Sequence, residues 1–244
     1  MTLHLAEAWA ALTHSPLFGV ALTLGAYQAA RALWRRTGHH SLANPVLVAI
    51  ALVVAVLLVA GVDYADYFAG AQYIGFLLGP ATVALALPLH RHARHIRRSA
   101  VPILVSVVAG AASAIITSIL VTRALGGSDQ LALTMAPKSA TTPIAIALAQ
   151  SSGGLPALTA VLTVLTGVIG AVAAPRLLTL LGVTDARIRG FAIGMSSHGI
   201  GTSRAFHDSA LAGAFSGLAM ALNALATAIA LPLLLSSAPW LLRG

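Results

Sequence analysis

The chain has 244 residues, of which 58% are hydrophobic and only 8% are charged. Soluble domains carry roughly a quarter charged residues, so this composition excludes an ordinary soluble domain and predicts an all-α membrane protein. The formal net charge of +8 comes from arginines clustered beside apolar runs, a pattern typical of cytoplasmic loops and lipid contact rather than of nucleic-acid binding.

The apolar runs, taken in chain order, predict about 7–8 transmembrane or re-entrant segments in one polytopic domain over residues 1–244. Residues 1–16 predict a short interfacial segment that ends at Pro16. Uninterrupted runs follow at 17–34, 45–61, 102–122, 155–175 and 210–235, each close to the roughly 20 residues that one crossing needs. Interrupted runs lie at 67–89 (broken at Gly79-Pro80), 131–150 (broken at Pro137 and Pro143) and 189–206 (broken at Gly194, Gly199 and Gly201).

The run at 131–150 is predicted to enter the membrane and return to the same side. If the arginines after 17–34 are cytoplasmic, Asp129 lies outside, and a full crossing would leave Arg176, Arg187 and Arg189 outside as well. That arrangement contradicts the positive-inside rule, whereas a re-entrant segment satisfies it. Non-helical backbone at membrane depth is tolerated only where it packs in protein or lines a wet cavity. A helix start at Thr142-Pro143, with Thr142 as the cap, fits such a break.

Two broken runs also resemble each other, which suggests an inverted repeat. Residues 80–87 and 142–148 both begin near a proline, and each is followed by an apolar span that starts at Pro102 or Pro156. Paired broken segments mark the binding site in many transporters. Sequence rich in alanine and leucine produces the same similarity by composition alone. An internal repeat and a compositional coincidence therefore both stay open.

The first constellation surrounds Lys138, the only lysine of the chain. No acidic residue occurs between Asp129 and Asp185, and a cation in hydrocarbon costs about 2.5–3.5 kcal/mol without a partner or water. Hydroxyls and a helix start accompany it, at Ser139, Thr141 and Thr142. A cation beside a helix N-terminus favours anion binding. The alternative is that Lys138 reaches an interface while the hydroxyls bond to backbone.

The second constellation combines small and ionisable residues; it comprises Ser197, His198, Gly199, Gly201, Thr202 and Arg204. The glycines allow close backbone approach to a ligand, and Thr202 or Ser203 is predicted to cap a restarting helix. His198 and Arg204 are predicted to orient a substrate carboxylate, and His198 and Asp208 are candidates for proton coupling. The alternative is a tight helix contact made by small residues, with Arg204 paired to Asp208 four residues later. Asp208 is also a candidate counterion for Lys138.

Other chemistry finds little support. The run at 90–95 alternates histidine with arginine, which would repel a metal cation, so it predicts a solvated loop. Hydrolase, metalloprotease and phosphate-loop motifs do not occur. With no cysteine either, we expect no enzymatic activity, no cofactor and no metal.

The two constellations together resemble the signatures of the LrgB/CidB family. The matching stretches are Pro137-Lys138-Ser139-x-Thr141-Thr142-Pro143-Ile144-Ala145 and Ser197-His198-Gly199-Ile200-Gly201-Thr202-x-Arg204-Ala205. Residues 15–23 and 76–85 look like the same family, so the resemblance extends over nearly the whole chain. Departures are slight: Ala140 stands where a bulkier residue is expected, and Ser203 where alanine is common.

This resemblance implies a multi-pass protein of the bacterial inner membrane, working with a small LrgA/CidA-type membrane protein in a homo- or hetero-oligomer. It implies transport of glycolate, glycerate, pyruvate or a similar 2-hydroxy or 2-oxo acid, because a plastid relative exchanges glycolate and glycerate. It also implies the family's holin/antiholin-like label, a pore or regulator of murein hydrolase export and lysis. The sequence therefore predicts a carrier of small monocarboxylates, driven by a proton or by exchange, with the holin-like role as the alternative.

Overall fold

The computed structural model describes residues 13, 15–38, 43–77, 80, 83–84 and 86–238, and these form α-helices with no strand among them. The all-α prediction is confirmed. The chain divides into two compact units, Met1–Ala84 and Leu85–Gly244, each described here by itself. The prediction of one membrane domain stays a prediction.

The described part of the first unit contains three helices, α1 (Pro16–Arg36), α2 (Pro45–Ala60) and α3 (Tyr64–Gly75). Proline opens both α1 and α2, where its missing N–H costs nothing and its fixed φ suits the helix. A side chain caps each start: Ser15 Oγ accepts from Leu17 N at 3.3 Å, and Asn44 Oδ1 accepts from Val46 N at 2.9 Å.

Helices α1 and α3 touch through glycine. A Cβ on Gly19 would collide with the carbonyl of Tyr67, and one on Gly70 would collide with the carbonyl of Pro16. The close approach lets Thr23 Oγ1 reach Tyr67 Oη at 2.8 Å. Small residues of this kind are the usual means of helix association in lipid.

The second unit begins with two short helices, α4 (Ala86–Arg91) and α5 (Ala93–Arg98). Residues 90–95 were expected to be a solvated loop, and this is wrong for the backbone, since both helices run into His92. The physical reason is packing: Ile96 lies against a cluster of Ile103, Val107 and Phe215, which gives α5 an apolar side to bury. The arginines of this stretch are exposed, as predicted.

Six further helices complete the second unit, and we number them in chain order. They are α6 (Ala100–Ala124), α7 (Asp129–Met135), α8 (Thr142–Ser152), α9 (Pro156–Leu180), α10 (Ala186–Asp208) and α11 (Ala210–Ser237). The five uninterrupted apolar runs correspond to α1, α2, α6, α9 and α11 within about five residues, and the run at 131–150 is divided between α7 and α8. By length and composition, α6, α9 and α11 could each cross a membrane, so the predicted count of 7–8 segments is not confirmed.

Some predictions fall on residues that are not described. The interfacial segment at 1–16 is almost entirely among them, and so are Gly79 and part of the stretch at 80–87. The break at Gly79-Pro80 and the inverted repeat therefore stay predictions.

The second unit is built around α10, which packs closely on α11 and α9. A Cβ on Gly190 would collide with Ala212, and one on Gly194 would collide with Ser216. A buried apolar cluster joins α6, α7 and α11; it comprises Ile115, Ile119, Ala132, Ala136 and Leu231. Ala136 of this cluster begins the short non-helical stretch between α7 and α8.

Candidate functional site

The first break is the stretch at residues 136–141, between the end of α7 and the start of α8. It is shaped by single turns, with Lys138 N donating to Met135 O at 3.2 Å and Ala140 N donating to Pro137 O at 2.9 Å. The cap of α8 is Thr141 rather than the predicted Thr142, because Thr141 O already accepts from Ala145 N at 2.9 Å. Its hydroxyl makes no cap hydrogen bond.

The chain around the first break folds back on itself. Leu155 N donates to Thr134 Oγ1 at 2.9 Å, and Thr159 Oγ1 donates to Thr134 O at 3.0 Å. The start of α9 therefore lies beside the last turn of α7. Gly154 permits this, since a Cβ there would come within 2.9 Å of Thr134 N. That this hairpin enters a membrane and returns to the same side stays a prediction.

Two helices hold the first break by its backbone. His198 Nε2 lies 3.2 Å from Lys138 O, and Asn223 Nδ2 donates to Ser139 O at 2.6 Å. A carbonyl can only accept, so the His198 tautomer assigned here carries its proton on Nε2. His198 and Asn223 both lie near the middle of their helices, so the first break lies at mid-height in the bundle.

The second break is the kink at His198 inside α10, where φ is 42° and ψ is −133°. Among the described residues, His198 is the one non-glycine residue with a positive φ. Such a conformation costs of order 1–3 kcal/mol and persists only where the surroundings impose it. Two features of α9 make room: a Cβ on Gly167 would lie 3.0 Å from the His198 ring, and one on Gly170 would collide with Ser197 Oγ.

The predicted helix cap at Thr202 or Ser203 is wrong. Thr202 Oγ1 donates to His198 O at 2.8 Å and shares a hydrogen bond with Ser216 Oγ at 3.0 Å. Ser203 Oγ donates to Ile200 O at 2.9 Å. Both hydroxyls bond back to the preceding turn, because the helix has already restarted after His198.

The glycines of the second break have different surroundings. Gly194 is enclosed by the backbone of α11, as the tight-contact interpretation expects. Gly201 is enclosed as well, by Ser197 and Ile193. Gly199 is exposed, and a Cβ there would meet nothing nearer than Met220 Sδ at 3.9 Å. Only Gly199 therefore has open space in front of it.

The polar side chains of the two breaks differ in their partners. At the first break four side chains make no hydrogen bond or ion pair within the described residues; they are Lys138, Ser139, Thr141 and Thr142. Around the second break each polar side chain is bonded within the protein; these are Ser197, His198, Thr202 and Arg204. Arg204 Nη1 donates to Asp208 Oδ1 at 2.5 Å, so Asp208 pairs with Arg204 and not with Lys138.

Asn223 is a site residue that the sequence analysis missed. It is 2% exposed, and its Nδ2 also donates to Met195 O at 3.2 Å. Its Oδ1 is buried without a partner in the described chain, as is Thr163 Oγ1 on α9. A single amide inside the long apolar run at 210–235 was the available signal, since polar residues at membrane depth are functional candidates by default.

Two other features lie away from the breaks. At the N-terminus of α10, the Arg187 side chain and its backbone N–H bond to Asp185 and lower the pKa of that carboxyl to about 2. Between α6 and α11 there is a groove of about 430 Å³, lined almost entirely by apolar side chains such as Leu104 and Leu225. An anion would find almost no polar partner in that groove.

Comparison with known proteins places the sequence among membrane proteins of one family. Residues 23–237 match the sequence model of the LrgB-like family. Uncharacterized protein YwbG of Bacillus subtilis is 36% identical over 88% of this chain and 95% of its own length. Holin-like protein CidB of Staphylococcus epidermidis is 31% identical over 81% of this chain and 86% of its own length. Antiholin-like protein LrgB of Bacillus subtilis is 29% identical over 90% of this chain and 95% of its own length.

No solved structure matches the chain. The CidB and LrgB relatives carry the names holin-like and antiholin-like. These names favour the alternative role over the monocarboxylate carrier. The geometry of the first break indicates which ligands the site is able to bind.

Proposed function

We propose a transport function from the premise that this chain belongs to the LrgB-like family. The protein would cross the bacterial inner membrane several times and carry a small monocarboxylate, such as glycolate, glycerate, pyruvate or lactate, by alternating access. One observation carries the proposal: Lys138 is half-buried at the first break and has no counterion within the described residues.

The chemistry of the first break suits a small hydroxy or oxo acid. Lys138 would supply the charge for the carboxylate, since a lysine ammonium donates charge-assisted hydrogen bonds worth about 1.5–3 kcal/mol. The free hydroxyls of Ser139, Thr141 and Thr142 would bond to carboxylate, 2-hydroxyl or 2-oxo oxygens. The start of α8 adds backbone N–H groups and a positive dipole end.

The second break would support this site rather than supply most of its contacts. His198 Nε2 contacts the carbonyl of Lys138, and in this proposal His198 would position the lysine and couple a proton to the movement of the break. Gly199 offers open space for close backbone approach. Asp208 is paired with Arg204, which makes it the weaker of the two proton-coupling candidates.

A holin/antiholin-like role is the second candidate, and the names of the relatives favour it. In that role the protein would form or regulate a pore, with an LrgA/CidA-type membrane protein and in an oligomer. A pore needs no saturable binding site, and it passes many solutes without competition among them. The free cation at the first break would then have no cargo to bind.

Uptake of labelled glycolate into proteoliposomes separates the two candidates. For a carrier, uptake saturates, and glycerate, pyruvate and lactate compete with glycolate. Lys138→Ala should lower uptake at least tenfold, the effect of one lost charge-assisted hydrogen bond, and Lys138→Arg should keep part of it. Flux that does not saturate and is unchanged in Lys138→Ala would refute the carrier and favour the pore.

A further inference from the structure

We infer that Asn223 is a positioning residue that holds the two helix breaks together through hydrogen bonds from one amide group. Its Nδ2 donates to Ser139 O in the first break at 2.6 Å and to Met195 O, three residues before His198, at 3.2 Å. The side chain is 2% exposed and lies at the centre of α11. We call this pair of hydrogen bonds the Asn223 clamp.

The Ser139 carbonyl needs an outside donor because of Pro143. In a regular helix the carbonyl of residue 139 would accept from the N–H of residue 143, and proline has none. Among the described residues, no backbone N–H donates to Ser139 O. A buried carbonyl left unpaired costs about 1–3 kcal/mol, so the Asn223 amide supplies a bond that the local backbone is unable to make.

The Met195 carbonyl lies in the last turn before the second break. The positive φ of His198 interrupts the regular helix geometry just beyond it. Asn223 therefore bonds to the backbone within the first break and one turn before the second break. His198 adds a direct link, since its ring reaches Lys138 O.

The orientation of the Asn223 amide follows from these contacts. Its two N–H groups match two carbonyl acceptors, whereas the reversed amide would set Oδ1 against both. The consequence is that Oδ1 is buried without a partner in the described chain. That unpaired acceptor opposes the clamp, because any movement that exposes Oδ1 to water recovers its hydrogen bond. The clamp is therefore less stable than it would be if Oδ1 were also paired.

The clamp stands on these contacts alone, and its effect on transport rests on the proposed function. Released from Asn223, residues 138–140 lose a tether on the side of α11, so Lys138 and Ser139 no longer keep a fixed position. A carrier variant without the clamp should bind its anion more weakly. The accessibility of the first break should rise whether or not the protein transports anything.

Two substitutions remove the clamp in different ways. Asn223→Leu removes both donors and is apolar, so it suits a membrane interior. Asn223→Asp keeps the shape and sets a carboxylate against two carbonyls. The matched control is Ser216→Ala, which removes a buried hydrogen bond between α10 and α11 without touching either clamped carbonyl.

Site-directed thiol labelling measures the clamp directly, because the chain contains no cysteine of its own. Ala140→Cys reports on the first break, where Ala140 is 1% exposed, and Ala111→Cys on α6 is the equally buried reference. Each Asn223 substitution should raise the labelling rate at Ala140→Cys at least tenfold and leave Ala111→Cys unchanged. Ser216→Ala should change neither rate. In proteoliposomes, Asn223→Leu should raise the half-saturation concentration of glycolate about tenfold.

Unchanged labelling at Ala140→Cys in both Asn223 variants would overturn the clamp. An equal rise at both cysteines would also overturn it, because it would show general loosening rather than positioning. If labelling rises only at Ala140→Cys while the wild-type protein shows no saturable uptake, the clamp stands and the proposed carrier function fails.

Discussion

The two breaks of the second unit lie side by side, and their polar groups are used in opposite ways. At the first break, Lys138 and three neighbouring hydroxyls have no partner within the described residues. At the second break, the corresponding side chains bond to one another, to α11 or to the first break. Unsatisfied donors at membrane depth are costly, and a bound anion would satisfy them.

The two motifs look equally functional in sequence, but the structure gives them different roles. The first break has the free groups that a ligand needs. The second break is internally satisfied, strained at His198, and closely packed against α9 and α11. Substitutions at the first break should therefore change binding with little effect on stability, and those at the second break should mainly change stability.

The largest effect on stability is expected at the packed side of the second break. Gly194→Ala would place a methyl group against the α11 backbone at Ser216, where no flexible side chain is able to move aside. Overpacking of this kind costs about 3 kcal/mol. The apparent melting temperature in detergent should fall sharply. Gly199→Ala is the control, since its methyl group meets open space, and it should melt like the wild type.

Gly199→Ala also tests whether the anion contacts the backbone of the second break. If the anion approaches the Gly199 backbone closely, this variant keeps its melting temperature and loses affinity for glycolate. Equal affinity in the variant and the wild type would remove Gly199 from the site.

The next effect concerns the space that α9 leaves for the His198 ring. Gly167→Ala brings a methyl group to 3.0 Å from the ring, so the ring must shift from Lys138 O. We expect a stability loss of about 1–2 kcal/mol. We also expect faster thiol labelling at Ala140→Cys, because one of the two tethers of the first break is weakened. Labelling at the wild-type rate would show that His198 does not help to hold the break.

Two threonine substitutions, one at each break, test with smaller changes whether the first break binds the anion and the second break stabilises the fold. Thr202→Val removes a hydroxyl that bonds to His198 O and to Ser216, and should destabilise the protein by about 1–2 kcal/mol. Thr142→Val removes a hydroxyl with no partner in the described chain, and should change the melting temperature little while weakening glycolate binding a few-fold. The opposite result, a stability loss only in Thr142→Val, would reverse the roles of the two breaks.

The smallest effect is expected at the start of α10, away from both breaks. Arg187 lowers the pKa of Asp185 from its ordinary value of 3.8 to about 2. A lowered folded-state pKa means that the carboxylate stabilises the protein above about pH 4, and that this contribution is lost as the pH falls towards 2. The difference in melting temperature between the wild type and Asp185→Asn should be constant from pH 7 to 4 and should shrink only below pH 4. A difference that shrinks between pH 7 and 5 would contradict this assignment.

Much of the fold could be predicted from sequence because its signals are local. Long apolar runs bounded by proline and arginine gave helices close to α1, α2, α6, α9 and α11. Boundaries set by tertiary contacts were missed. The stretch at 90–95 is helical because Ile96 packs against a distant cluster, and a charge pattern contains no information on that contact.

The candidate site divides in the same way. Residue types and spacing identified Lys138 and its hydroxyls, but they treated the second constellation as equivalent. Its side chains are occupied by Ser216, Asp208 and the Lys138 carbonyl, which lie on other turns or other helices. Asn223 was missed because its two partners are backbone carbonyls, 84 and 28 residues away in the chain.

Ligand-induced thermal stabilisation by glycolate reports whether the first break binds a small anion, because it requires binding but no transport. At a concentration of about 100 times Kd, a bound ligand adds about 2.7 kcal/mol of stability. We expect a clear rise in melting temperature for the wild type, the same rise from a lower starting point for Thr202→Val, and a rise at most about half as large for Lys138→Ala. A rise in Lys138→Ala equal to that of the wild type would contradict the assignment of the anion site to the first break.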